Sequence, residues 1–423
     1  MRIVQTFWSA KRNPLEHSFG WLHPEYNLMS WALSCHSIHE HYDEVVLYTD
    51  TLGKHVLIDT LHLPYTEVNI IFDDFKCLPQ HWALAKIKTY SLQTKPFLHV
   101  DGDVYLPKPL TTNVVDAELV AQNREIGTSY YRSMMDRILS YPEIYLPEYI
   151  QKGLSEKSVA SYNMGIFGGS NLQFINEYCN EVFSFININQ MNNSEIRYAY
   201  IDCNVFFEQV IFAVFADKNE KIVENVLGRA MIDEGYMARD FCALRDYDNK
   251  PFFHILGGHK RSEGVCNMLE KTLMSKYPDT YLRISRAFPQ RHVRLGEKSF
   301  PEIFSYEMDV AKAFLFIDAS SNIQDKALIV LNPWLQLTEE DGNYFAAIPS
   351  IGKDRIKSIP IKPLALNIIT ILNNNNGRII FQSLKEELFN CFSSKKHIDA
   401  ETFTNAEMTY LLFYGIIIAK IDN

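Results

Sequence analysis

A chain of 423 residues, 47% hydrophobic and 22% charged, has the length for two or three domains and the composition of a folded globular protein. Its 41 basic and 51 acidic residues leave a net charge of −10, and no basic stripe interrupts the acidity, which disfavours a nucleic-acid binder. No apolar run approaches the roughly 18 residues of a membrane span, so no transmembrane segment is expected. The opening Arg2–Phe7 reads as a strand rather than a leader. The seven cysteines are scattered without a C-x-x-C pair, which argues for reduced thiols in a cytoplasmic protein and against a cysteine-based zinc site.

The first hundred residues alternate strand and helix. Strands are expected at Ile3–Phe7, Glu44–Tyr48 and Thr66–Phe72. Helices are expected at Glu25–His39, where Leu28, Trp31, Ala32, Cys35 and Ile38 share one side, at residues 53–61, and at His81–Leu92. This alternation indicates an α/β domain with a mainly parallel sheet, in which ligands bind beyond the carboxyl ends of the strands. A fourth apolar run, Phe97–Val100, ends abruptly in Asp101-Gly102-Asp103. Paired carboxylates at the end of a buried strand are costly unless a cation sits there. One residue apart, they can close on one hard divalent ion, Mg²⁺ or Mn²⁺. Tyr48-Thr49-Asp50 falls at another strand end and belongs in the same cleft.

Beyond this point Glu118–Gln122 reads as a strand, and residues 124–158 as a long insertion rich in Tyr and Pro that serves as a functional loop or lid. Ser161–Ser170 is expected to be a strand closing in a glycine turn, followed by a helix at Asn171–Ile186 and an amphipathic helix at Asp202–Phe215. A last strand, Phe252–Leu256, enters Gly257-Gly258-His259-Lys260. Read as H-x-x-G-x-x-K, this stretch offers His254 as an imidazole ligand, Gly257 for close backbone approach to phosphate, and Lys260 to neutralise a diphosphate. Residues 262–317 look helical, with breaks at Pro278 and Phe288–Phe300. After about residue 325, short strands at Ala327–Leu331, Asn343–Ile348 and Arg355–Ile359 precede a helix at Pro363–Leu372. Two capping boxes, Ser383–Glu386 and Thr404–Glu407, are expected to open further helices before a final strand at Ile416–Ile421. Residues 326–423 therefore read as a small α+β module of winged-helix type, and its ten basic and ten acidic groups disfavour DNA binding. The expected division is 1–260, a helical extension at 261–325, and 326–423.

The D-x-D and H-x-x-G-x-x-K stretches, in this order, resemble those of GT-A-type nucleotide-sugar glycosyltransferases, and are similar to the retaining glycogenin and bacterial galactosyltransferase group. The resemblance covers roughly residues 1–260 and implies a Rossmann-like GT-A domain. It further implies Asp101, Asp103 and His254 as ligands of Mn²⁺ (or Mg²⁺), with Gly257 and Lys260 on the diphosphate of a nucleotide-sugar donor, a UDP-sugar in the first instance. Lys86 stands where that group carries a basic residue facing the donor. Trp8, Ser9, Tyr48, Thr49 and Asp50 would lie against the nucleoside, and Asn163 would border the donor sugar. The chain departs from the group in having Arg261-Ser262 where Pro-Trp is usual. The polar group at the reaction centre is left open among Asp202, Glu208 and Gln209. Asp202 alternatively caps a helix, and Glu208 and Gln209 alternatively sit on an ordinary amphipathic face. The C-terminal module resembles, more loosely, the PqqD-like elements that recognise precursor peptides, which implies a peptide acceptor; its other reading is a packing or dimerisation domain. The rival reading of the whole chain is a non-catalytic peptide- or glycan-binding protein with a degenerate glycosyltransferase fold.

Overall fold

The computed structural model describes residues 1–127, 129–154, 159–201, 203–232, 242, 244, 247–288, 305–306, 309–310, 313–317, 319–340, 342–348, 357–392 and 400–421. The chain divides into two compact units, Met1–Leu269 and Glu270–Asn423.

The first unit contains strands β1 (Arg2–Phe7), β2 (Val45–Thr49), β3 (Glu67–Ile70), β4 (Phe97–Val100), β5 (Val104–Tyr105), β6 (Val120–Ile126), β7 (Ala160–Gly169), β8 (Glu224–Asn225), β9 (Met231–Ile232) and β10 (Phe253–His254). Eight of them form one mostly parallel sheet in the order β3-β2-β1-β4-β7-β6-β8, with β9 also on β6. Within it β3, β2, β1 and β4 run parallel, while β7 is antiparallel to both β4 and β6. Every residue of β2 and β4 is buried, as expected of strands covered on both faces. Phe7 pairs with Thr49 and Val4 with His99, so the carboxyl ends of β1, β2 and β4 share one edge of the sheet. Beyond that edge β5 and β10 form a small antiparallel pair, with His254 opposite Val104.

The helix Pro24–His39 crosses from β1 to β2, with proline at its first turn and the His23 imidazole accepting from the Glu25 amide. The helix Ala83–Ser91 leads into β4. Below the sheet a large core forms, in which Phe212 packs against Phe167, Phe174, Tyr178 and Tyr162. Burying such aromatic side chains contributes roughly 1.5–3 kcal/mol each.

Several local expectations need correction. The stretch after Gln122 is not irregular: β6 continues to Ile126, and the helices Ser129–Leu139 and Glu148–Leu154 follow. Met134, Met135 and Ile138 lie buried on one side of the first of these helices, and that side supplies the ordering force. The expected helix at 202–215 instead begins as a π-helical turn at Phe206–Val210 and continues as an α-helix to Lys218. π-turns are rare and concentrate at functional sites.

In the second unit, β11 (Leu328–Leu331), β12 (Gln336–Glu340), β13 (Asn343–Ile348), β14 (Lys357–Ile361), β15 (Arg378–Ile380) and β16 (Ile417–Lys420) form two antiparallel three-stranded sheets, β15-β11-β16 and β12-β13-β14. Helices Pro363–Asn374, Phe381–Phe392 and Ala400–Phe413 complete the module around Ile368, Leu372, Leu384 and Leu411. Neither capping box opens its helix: Phe381 starts one helix directly at the end of β15, and Ala400 starts the other, leaving Ser383 and Thr404 inside. Phe288–Phe300 is described only at Phe288, and the rest of that expected break lies outside the described residues. No described helix is long and apolar enough to cross a membrane.

Candidate metal and phosphate site

The site is built where β4 ends. After Val100 the backbone turns, with the Val104 amide donating to the Asp101 carbonyl, and β5 begins. Gln5 and Ser34 fix this turn from behind: the Gln5 amide reaches the Val100 carbonyl at 3.1 Å, and the Ser34 hydroxyl reaches that of Val104 at 2.7 Å. The Ser30 hydroxyl holds the Gly102 carbonyl at 2.7 Å. The middle residue of D-G-D has to be small, because a Cβ on Gly102 would lie 2.4–2.6 Å from the indole carbons of Trp31. Both carboxylates therefore project from a turn clamped on three sides.

His254 arrives from β10. The Ile255 amide donates to the Asp103 carbonyl at 3.0 Å, which locks β10 beside the turn. One ligand atom from each of Asp101, Asp103 and His254 lies within 4.8 Å of the others. Nε2 of His254 stands 3.6 Å from Asp103 Oδ1, while its Nδ1 lies 2.7 Å from the buried Gln122 Oε1. Two carboxylates and an imidazole are a suitable donor set for Mn²⁺ and an acceptable one for Mg²⁺.

Two lysines flank this cluster in different ways. Lys260 pairs with Asp103 Oδ2 and lies over the Trp21 ring at 6.0 Å. Burial alone would raise the Asp103 pKa, but the charges of Lys260 and His254 outweigh it and hold the carboxyl well below the usual range. Lys86 is buried beneath Asp101, 2.8 Å from its Oδ1 and 2.5 Å from Oε1 of Glu208. Burial raises both Asp101 and Glu208 against the opposing charge of Lys86. His99 packs behind the site, with Nε2 3.0 Å from the Thr6 hydroxyl and Nδ1 3.5 Å from Asp101. Its burial, with Lys86 nearby, lowers its pKa well below the histidine norm.

The other candidates are distributed around this centre. Asn163 lies on β7; its side-chain oxygen accepts from the Gly165 amide, whose own carbonyl takes the Asp101 amide. Gly257 opens the short 3₁₀ turn that carries Lys260, and no atom lies within 4 Å of where its Cβ would stand. Trp8, Ser9, Tyr48, Thr49 and Asp50 cluster near the ends of β1 and β2. The Asp50 carboxylate accepts from the Ser9 amide at 2.8 Å, the Ser9 hydroxyl at 2.6 Å and the Gly53 amide at 2.8 Å. It thereby caps the helix Thr51–Lys54 and pins the loop after β1. Trp8 meets Phe75 edge to face, the Tyr48 hydroxyl faces Arg2 at 3.5 Å, and Thr49 is fully buried. Gln209 accepts from the Tyr131 hydroxyl at 2.6 Å. Asp202 lies outside the described residues.

The sequence reading missed Gln122, Gln5 and Trp31. Gln122 carried one usable signal, an amide side chain directly after the apolar run Leu119–Ala121.

A family model covers residues 1–287, described as a family of unknown function (DUF6734). The chain belongs to the DUF6734 family. The matched region includes every described candidate residue above, from Trp8 to Lys260. No curated protein matches the chain.

Proposed function

We propose that this chain is a Mn²⁺- or Mg²⁺-dependent glycosyltransferase with a GT-A-type catalytic unit, moving a sugar from a nucleotide-diphosphate sugar to an acceptor. A UDP-sugar is the first donor to test. The observation that carries the reading is the convergence of Asp101, Asp103 and His254, from two distant stretches of sequence, on one point beside Lys260 at the carboxyl edge of the sheet.

When bound, the divalent ion would offset the charge that develops on the departing nucleotide diphosphate. The two carboxylates and Nε2 of His254 would hold it. Lys260 provides a second cationic group on the same side, and backbone amides of the 3₁₀ turn that opens at Gly257 would be available to a phosphate. Lys86 keeps Asp101 in place from below. Residues 326–423 are read as a winged-helix-like accessory module, loosely PqqD-like, that would present a peptide acceptor. Six strands and three helices among the described residues of 326–423 support that reading without naming the peptide. The free cysteines fit a cytoplasmic setting.

One observation favours the rival reading of a non-catalytic peptide- or glycan-binding protein. Glu208 is engaged by Lys86 and Gln209 by Tyr131, so neither stands ready as the polar group at a reaction centre.

The test is a panel of nucleotide sugars, assayed for nucleotide-diphosphate release and thermal stabilisation with Mn²⁺ and with EDTA. Metal-dependent release from one donor supports the enzyme. Metal-dependent stabilisation without release supports the binding protein, and neither effect with any donor rejects both.

A further inference from the structure

We infer that Gln122 is a positioning residue that fixes the tautomer of His254 and so turns its Nε2 lone pair toward Asp101 and Asp103; the inference builds on the proposed metal site. The argument starts from a group whose hydrogen-bonding role is unambiguous. The Arg124 carbonyl can only accept, and the Asn123 side chain reaches it through Nδ2 at 3.4 Å. Asn123 therefore presents its oxygen to the other side, where Gln122 Nε2 donates to it at 3.2 Å. With its nitrogen committed there, Gln122 presents Oε1 to Nδ1 of His254 at 2.7 Å. An amide oxygen cannot donate, so Nδ1 carries a proton and Nε2 is the nitrogen left to bind a cation. That nitrogen is the one 3.6 Å from Asp103.

Packing enforces the same arrangement. Gln122 and Asn123 are fully buried, so water does not compete for these bonds. Gly165 of β7 makes room for them: a Cβ there would lie 2.5 Å from His254 Cε1 and 2.7 Å from Gln122 Oε1. A histidine that ligates metal usually donates its other N–H to an acceptor of this kind, and loss of that acceptor commonly weakens metal binding about 10- to 100-fold.

The experiment uses the full chain with ¹⁵N-labelled histidine. In metal-free wild type, the His254 resonances should report a proton on Nδ1. Gln122→Leu should give a mixture of tautomers and weaken Mn²⁺ binding, measured by electron paramagnetic resonance, about 10- to 100-fold. Gln122→Glu, which keeps an acceptor, should retain both the tautomer and the affinity. A wild-type imidazole with no proton on Nδ1 overturns the inference, as does Gln122→Leu with unchanged Nδ1 protonation and affinity. Should Gln122→Leu fail to fold, the wild-type spectrum and Gln122→Glu decide. A wild type that shows Nδ1–H, lost in Gln122→Leu, yet binds no Mn²⁺ would sustain the positioning role and reject the metal site.

Discussion

Gly102→Ala is the most informative single change to the D-G-D turn, because it adds one methyl and removes no ligand. The new Cβ would stand 2.4 Å from Trp31 Cε2 and 2.5 Å from Cζ2, well inside van der Waals contact. Trp31 has little freedom to yield: it is 8% exposed and its ring meets Phe7 edge to face at 5.2 Å. On the other side the Gly102 carbonyl is tied to the Ser30 hydroxyl. Overpacking of this kind costs about 1–3 kcal/mol. For a unit of this size that corresponds to a fall in Tm on the order of 5 °C. The backbone shift also separates the two carboxylates, so Mn²⁺ affinity should drop at least about tenfold, or roughly 1.4 kcal/mol. Calorimetric melting and Mn²⁺ titration measure the two effects. Trp31→Phe in the Gly102→Ala background removes the clashing ring and should recover part of both, a coupling that a double-mutant cycle isolates. If Gly102→Ala melts and binds Mn²⁺ like wild type, the turn is not clamped by Trp31 and the reasoning fails.

Lys86→Met should be among the most damaging substitutions in the first unit. It leaves the buried Glu208 carboxylate beside the partly exposed one of Asp101 with no cation between them, a change that costs about 3–5 kcal/mol when one partner of a buried pair is lost. Adding Glu208→Leu should restore much of the melting temperature, and no recovery in the double variant would refute the coupling. Asp50→Ala leaves three donors without their acceptor and should lower stability by about 1–3 kcal/mol, in buffer with or without nucleotide. A loss confined to nucleotide binding would instead assign Asp50 to the ligand. Deleting residues 326–423 should spare metal-dependent UDP binding, since all described site residues lie before Leu269. A truncated protein that melts cooperatively but no longer binds would place part of the site in the second unit.

The parts of this fold that the sequence announces are those governed by local chemistry. A buried apolar run cannot end in Asp101 and Asp103 without signalling a special environment, and His254 at a strand end beside Gly257 and Lys260 completes the pattern. The parallel strands β1, β2 and β4 were legible because their residues are apolar and separated by helices of crossover length. What was not legible depends on partners far apart in the chain. Trp31 looked like one more core residue on a helix, and its contact with Gly102 exists only once β1 pairs with β4. Gln122 acquires its role through the pairing of β6 with β7, which sets Gly165 against the His254 ring. The strand β12 escaped notice because all five of its residues are exposed, so it carries no apolar alternation. The capping boxes misled because Ser383-x-x-Glu386 and Thr404-x-x-Glu407 also fit helix interiors.

The central claim is that Asp101, Asp103 and His254 form a divalent-metal site that engages a nucleotide diphosphate. Isothermal titration of UDP into the full chain, with Mn²⁺ and with EDTA, tests it most directly when run beside Asp103→Ala. Binding that requires Mn²⁺ in wild type and vanishes in Asp103→Ala is the predicted result. UDP binding that is indifferent to Mn²⁺, or absent in both proteins, would contradict it.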